Sequence, residues 1–254
     1  MKQIPNLFTL LNLFFGCLAI VFILQNGIAI EHTEAGAQFI DIPQKMWMAS
    51  LCIGIAAVVD FLDGFVARLF KAESELGAQL DSLADVVSFG VAPAMILYQF
   101  LRMAFAKESE ALDTSILWLL PAFLVALAGA YRLGRFNIDK EQSLVFKGVP
   151  IPAIGLLIAS LPLIYWNTQQ SVIIELLLNK WFLYAIIIFV SWLMVSKIPL
   201  LTLKFKNYGI ADNLPKYILL GVSLLSILLL GWLSVPVIFI AYIILSLLFK
   251  NKLV

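Results

Sequence analysis

Apolar residues run along this chain in blocks of roughly twenty, separated by short polar clusters, with no period-two alternation to suggest strands. Eight blocks stand out, at about 5–26, 46–70, 78–103, 115–134, 149–166, 178–197, 214–231 and 233–249. Each is close to the ~20 residues a helix needs to cross a hydrocarbon core. The pattern predicts an all-α integral membrane protein of about eight transmembrane helices, folded as one membrane-embedded domain over residues 1–254. Pro5 is well placed to start the first helix. No A-x-A-like site follows that helix, so it reads as a span and not as a cleaved signal peptide. The connections 25–45 and 102–113 carry mixed charges and no motif.

The polar residues inside the blocks need a separate explanation. Asp60, Asp63, Gly64, Ala67 and Arg68 close the second block, and Gly77, Asp81 and Asp85 open the third. On a helix, positions 60, 63, 64 and 67 share one face, and so do 77, 81 and 85. Two helices joined by the polar turn 71–75 would therefore aim four carboxylates at one spot. One Asp at the centre of a membrane helix costs about 2.5–3.5 kcal/mol, so four uncompensated ones would cost roughly 10–14 kcal/mol. A divalent metal removes that cost. Hard oxygen ligands suit Mg²⁺ or Mn²⁺, and four carboxylates suit a two-metal site that grips a diphosphate. Gly64 and Ala67 are small where something must approach the helix backbone. In the first block Asn6, Thr9 and Asn12 recur every three residues on one helix face. From the residues alone they read equally well as helix-to-helix hydrogen bonding or as the wall of a pocket.

Composition narrows the chemistry. Charged residues make up 13% and hydrophobic residues 62% of the 254, about half the charge of an ordinary soluble domain. The single histidine, His32, and the two cysteines, Cys17 and Cys52, leave no thiolate metal cluster and little scope for Ser-His-Asp catalysis. Both cysteines lie in apolar runs and read as packed thiols. No nucleic-acid partner is expected. With eight spans, thirteen of the 17 Lys and Arg residues fall on one side, and only Lys45, Arg102, Lys107 and Lys180 on the other. The positive-inside rule then puts both termini, and the Asp-rich end of helices 2 and 3, on the cytoplasmic side of the cell membrane.

The spacing Asp-x2-Asp-Gly-x2-Ala-Arg-x8-Gly-x3-Asp-x3-Asp over residues 60–85 resembles the signature of the CDP-alcohol phosphatidyltransferase family. The start Pro5-Asn6-x2-Thr9-x2-Asn12 is similar to that family as well. The resemblance implies that an acceptor hydroxyl attacks the lipid-side phosphorus of CDP-diacylglycerol and that CMP leaves. It implies two divalent metals held by Asp60, Asp63 and Asp81, with Asp85 sharing a metal and acting as general base. Asn6, Thr9, Gly64, Ala67, Arg68 and Gly77 would line the CDP moiety, and the working unit would be a homodimer.

Three further segments resemble the branch of that family whose acceptor is L-serine. They are Ser88-Phe-Gly-Val-Ala-Pro-Ala94, Arg132-Leu-Gly-Arg-Phe-Asn137 and Phe146-Lys-Gly-Val-Pro150, with Gly134 and Val149 in place of the usual Ala and Leu. The implied acceptor pocket is Ser88, Arg132, Arg135, Asn137 and Lys147. Guanidinium groups hold carboxylate or phosphate bidentately. Charge alone does not rank Arg132, Arg135 and Lys147, and glycerol 3-phosphate or inositol phosphate would want the same groups. Gly90 and Pro93 predict a kink in the third helix. The last two helices, about 214–249, carry no charge within the membrane and read as peripheral scaffold or dimer contact. A cation transporter is the rival from another class. Four Asp on two consecutive helices, instead of scattered over repeats, argue against it.

Overall fold

The computed structural model describes residues 4–25, 29–32, 38–41, 45–70, 72, 74–107, 114–138, 148–201 and 209–249. Ten α-helices carry the fold among them: α1 (Ile4–Leu24), α2 (Met46–Leu69), α3 (Glu75–Asp85), α4 (Ala92–Ala106), α5 (Leu124–Ile138), α6 (Ile151–Asn167), α7 (Ser171–Leu177), α8 (Lys180–Val195), α9 (Ile210–Leu230) and α10 (Ser234–Leu248). One departure from an all-helical chain lies in the connection after α1. There β1 (Ala29–His32) pairs antiparallel with β2 (Gln38–Asp41).

Five stretches are helical, long and apolar enough to cross a membrane: Pro5–Leu24, Met46–Leu69, Glu75–Ala106, Ile116–Ile138 and Asn213–Leu248. A sixth is added if α7 and α8, bent by 64° to one another, form one span. The protein is therefore a multi-pass membrane protein with five to six candidate spans. The sequence reading counted eight because it took the 17-residue α6 as a full span and divided 213–248 at Gly231. Large apolar side chains such as Phe14, Phe61, Phe65 and Leu228 stay exposed on outward faces, as expected where the surroundings are lipid.

The core lies where α4 is enclosed by its neighbours. Ile96, Leu97, Phe100 and Leu101 of α4 are fully buried against α1, α6 and α8, which contribute Ile23, Ile154, Ile158, Leu183 and Ile187. Phe239 and Ile243 of α10 join the same cluster, so the chain's last helix is packed into it. Both cysteines are free thiols, Cys52 buried and Cys17 exposed on α1.

The helix departs from regular α geometry just before Pro93, where irregularity was expected. Residues Val86–Val91 adopt a π-helix, and Glu75–Ala106 continues as one 32-residue span. Proline lacks an N–H and its ring collides with the carbonyl four residues earlier. The wider turn lets Ala92 N–H reach back five residues to Val87 O and passes the proline without a break. α3 itself starts at a defined place, because the Ser74 hydroxyl accepts from Gly77 N–H at 3.0 Å as an N-cap. The phase of Asp81 and Asp85 follows from that start.

Close approach of α1 to the π-helix depends on Gly16. A Cβ at Gly16 would lie 2.3 Å from Ser88 Oγ and 2.8 Å from Ser88 Cα. Gly16→Ala is expected to cost about 1–3 kcal/mol by overpacking, read as a lower melting temperature of the detergent-solubilised protein. Gly54, with nothing within 4 Å of its Cβ position, is the control. Gly54→Ala should leave the melting temperature unchanged or raise it, and an equal loss in both variants would contradict the close-packing argument.

Candidate active site

Asp60 and Asp63 sit one turn apart in the C-terminal half of α2, and Asp81 and Asp85 one turn apart in α3. α1 packs against both helices and ties them together. One carboxylate oxygen each from Asp60, Asp63 and Asp81 can be chosen so that all three lie within 4.8 Å of one another. Thr9 Oγ1 donates to Asp63 Oδ2 at 2.8 Å and lies 3.2 Å from Pro5 O. Asn12 Nδ2 stands 3.5 Å from Asp60 Oδ1 and 3.5 Å from Asp85 Oδ1, spanning the two helices through long contacts. Asp85 lies outside the three-oxygen group, buried, and within hydrogen-bond reach of Asp60.

Among the described residues, none of these four carboxylates forms an ion pair with Lys or Arg. A cluster of buried like charges without a protein cation is unstable as it stands. Asn12 adds a second sign. It is 0% exposed and its Oδ1 has no hydrogen-bond partner among the described residues. A buried carbonyl oxygen beside three clustered carboxylates is a donor set for a hard divalent cation or its bound water. The residues present fit such an ion.

A cleft of about 330 Å³ opens directly on the cluster. Asp63 and Asp81 line it together with Pro5, Asn6, Thr9, Gly64, Ala67, Arg68, Ala72, Ser74, Gly77 and Ala78. All six residues expected around the CDP moiety are therefore gathered in one cleft. Arg68 is exposed at the end of α2, with its guanidinium nearest to the Gly64 position. A Cβ at Gly77 would sit 3.1 Å from both Asn6 Oδ1 and Ser74 Oγ, so the glycine keeps that wall open.

The residues expected at the acceptor end are dispersed. Arg132 of α5 is 7% exposed, its Nε lacks a partner among the described residues, and its guanidinium carbon is 6.0 Å from the Phe136 ring centroid. It lies within electrostatic reach of Asp85. Arg135 Nη1 donates to Val195 O at 3.1 Å, at the end of α8. Asn137 Nδ2 donates to Ser82 Oγ at 2.9 Å, next to Asp81. Ser88 is fully buried in the π-helix and does not line the cleft; its hydroxyl donates to Asn12 O at 3.1 Å. Lys147 lies outside the described residues. Asn12 is the site residue that sequence reasoning left off its site. Its signal was the Asn6-Thr9-Asn12 ladder, whose last member meets two aspartates from different helices.

Residues 2–195 match the sequence model of the CDP-alcohol phosphatidyltransferase family. The chain belongs to that family. Three relatives carry the name CDP-diacylglycerol–serine O-phosphatidyltransferase. The one from Helicobacter pylori (strain J99) is 35% identical over 156 residues, covering 61% of this chain and 54% of the relative. The Bacillus subtilis protein is 34% identical over 166 residues, covering 65% of this chain and 78% of the relative. The Mycobacterium leprae protein is 31% identical over 240 residues, covering 89% of this chain and 66% of the relative. The chain thus spans little more than half the length of the Helicobacter relative. The acidic cluster and the cleft both fall within the matched residues.

Thr9 touches Asp63 without belonging to the acidic cluster itself, so it tests how far the ligands are pre-oriented. Removing such a supporting hydrogen bond typically costs about 10- to 100-fold in metal affinity. Thr9→Val is expected to shift the Mn²⁺ titration of the melting temperature to about 10-fold higher concentration or more. A titration that overlays the wild type would contradict the role given to this contact.

Proposed function

We propose that this chain transfers the phosphatidyl group of CDP-diacylglycerol to L-serine, forming phosphatidylserine and CMP. The observation that carries the reading is the Asp60, Asp63 and Asp81 cluster, of which Asp63 and Asp81 line a cleft that also holds Gly64, Ala67 and Gly77. The names of the relatives support serine as the acceptor.

Asp60, Asp63 and Asp81 would hold two divalent metals, Mg²⁺ or Mn²⁺, and Asp85 would contribute to one of them. When bound, the metals supply neutralisation of the diphosphate and stabilisation of the departing CMP. The chain's own groups do the rest. Arg68, Asn6 and Thr9 grip the CDP moiety against the open faces of Gly64, Ala67 and Gly77. Asp85 takes the proton of the serine hydroxyl. The serine oxygen then bonds to the lipid-side phosphorus, the bond from that phosphorus to the bridging oxygen breaks, and CMP leaves with the bond's electron pair.

Arg132 is the residue assigned to the acceptor carboxylate. It is buried on the Asp85 side and its Nε is unpartnered among the described residues, whereas Arg135 already donates to Val195 O. Arg135 and Asn137 follow it within the next two turns of α5, and Lys147 remains an acceptor-side candidate from the sequence likeness. Ser88 acts indirectly, holding the backbone of Asn12. The proposed protein crosses the cell membrane eight times, with α6, α7–α8, α9 and α10 each taken as a crossing and the break at Gly231, φ +54°, reversing the chain. The charge bias puts the acidic end in the cytoplasm. The chain works as a homodimer.

The test is CMP release from CDP-diacylglycerol with Mg²⁺ or Mn²⁺, offered serine, glycerol 3-phosphate and inositol phosphate in parallel. Release with serine alone is expected. Release with only a phosphorylated alcohol would overturn the acceptor, and no release with any of them would overturn the transferase reading. Asp85→Asn is expected to lower turnover by about 10²–10⁴, the usual worth of a general base, while keeping CDP-diacylglycerol binding. Loss of that binding would make Asp85 a metal ligand only.

A further inference from the structure

The end of α8 and the segment after it, residues 193–201, are held from two sides by groups from distant parts of the chain. On one side stand the elements proposed to meet the acceptor. Arg135 Nη1 donates to Val195 O, Gly148 N–H to Ile198 O at 3.0 Å, and Val149 N–H to Leu193 O at 3.3 Å. The fit is close: Gly148 has φ +77°, and a Cβ there would lie 2.5 Å from Met194 O and 2.8 Å from Ser196 O.

On the other side stands a single turn of α10. Tyr242 Oη donates to Leu201 O at 3.2 Å, and Leu201 N–H donates to Ser246 Oγ at 3.1 Å. Ser246 Oγ in turn donates to Tyr242 O at 2.7 Å, which fixes the hydroxyl to accept from Leu201. Leu200 and Leu201 are buried, 1% and 3% exposed. Buried backbone groups must find partners, and Leu201 finds both of its own on α10. The Tyr242 side chain also lies within electrostatic reach of Arg132. None of this was expected of a helix that lies beyond the family match, which ends at residue 195.

We propose that Tyr242 and Ser246 are positioning residues for the acceptor: by holding Leu201 from α10, they fix the stretch 193–201 against which Arg135 and the Gly148 turn are held. The proposal rests on the reading that serine binds beside Arg132 and Arg135. It makes the last helix part of the acceptor apparatus instead of a peripheral scaffold. Nothing in it touches the CDP cleft, whose lining comes from residues 5–81. Its signature is therefore an effect on one substrate only.

The experiment measures CMP release by the full chain with serine and CDP-diacylglycerol varied separately. Tyr242→Phe and Ser246→Ala are each expected to raise KM for serine about 5- to 10-fold, the worth of one hydrogen bond. KM for CDP-diacylglycerol and kcat should stay within twofold. Ser246→Thr, which keeps the hydroxyl, should retain the wild-type KM for serine. A merely structural tether would instead lower kcat or shift both KM values together, and that result overturns the proposal. Arg132→Gln serves as the reference. If it raises KM for serine while Tyr242→Phe and Ser246→Ala do not, the clamp is wrong and the site reading survives. If none of the three changes KM for serine, the acceptor reading itself falls.

Discussion

Four aspartates in an apolar helical bundle, with no protein cation paired to them among the described residues, are the constraint on which the rest of this structure depends. Each carboxylate favours water, and each would repel the others. The fold nevertheless draws oxygens from Asp60, Asp63 and Asp81 to within 4.8 Å. Several local features serve that end. The Ser74 cap fixes where α3 begins and so where Asp81 and Asp85 point. Gly16 lets α1 come down onto the π-helix. Ser88 then holds the Asn12 backbone, and the Asn12 amide spans Asp60 and Asp85. The first helix of this family member thus acts as the strut between the two acidic ones.

The acidic site was legible in the sequence because helical periodicity converts spacing directly into a face. Positions 60 and 63, and 81 and 85, had to line up once their segments were helical, and they do. Asn6 and Thr9 were legible for the same reason, as polar residues at every third position of an apolar helix. Asn12 belonged to that ladder. Its importance depends on how deeply α1 inserts between α2 and α3, which is a packing property with no local signature.

Other features were hidden for different reasons. Gly90 and Pro93 announced an irregular turn, but its form, a π-turn that offers the backbone another partner and keeps the span continuous, has no signature in residue type. Ser88 was placed in the acceptor pocket by likeness of its segment. Within the π-turn its side chain faces α1 instead. The number of spans depends on a few residues of helix length at α6 and on whether Gly231 reverses the chain, and hydropathy does not decide either. The engagement of Tyr242 and Ser246 with Leu201 joins positions more than forty residues apart. No pattern along the chain announces it.

The proposed two-metal site would differ physically from a lone acidic cation site, because two Mn²⁺ ions at the ~3.5–4 Å spacing of such sites would be magnetically coupled. The most direct measurement is therefore electron paramagnetic resonance of the purified protein loaded with Mn²⁺. The account predicts two Mn²⁺ per chain, with the exchange-coupled spectrum of a neighbouring pair, lost in Asp60→Asn. A six-line signal from one isolated ion per chain, or no bound Mn²⁺ at all, would contradict it.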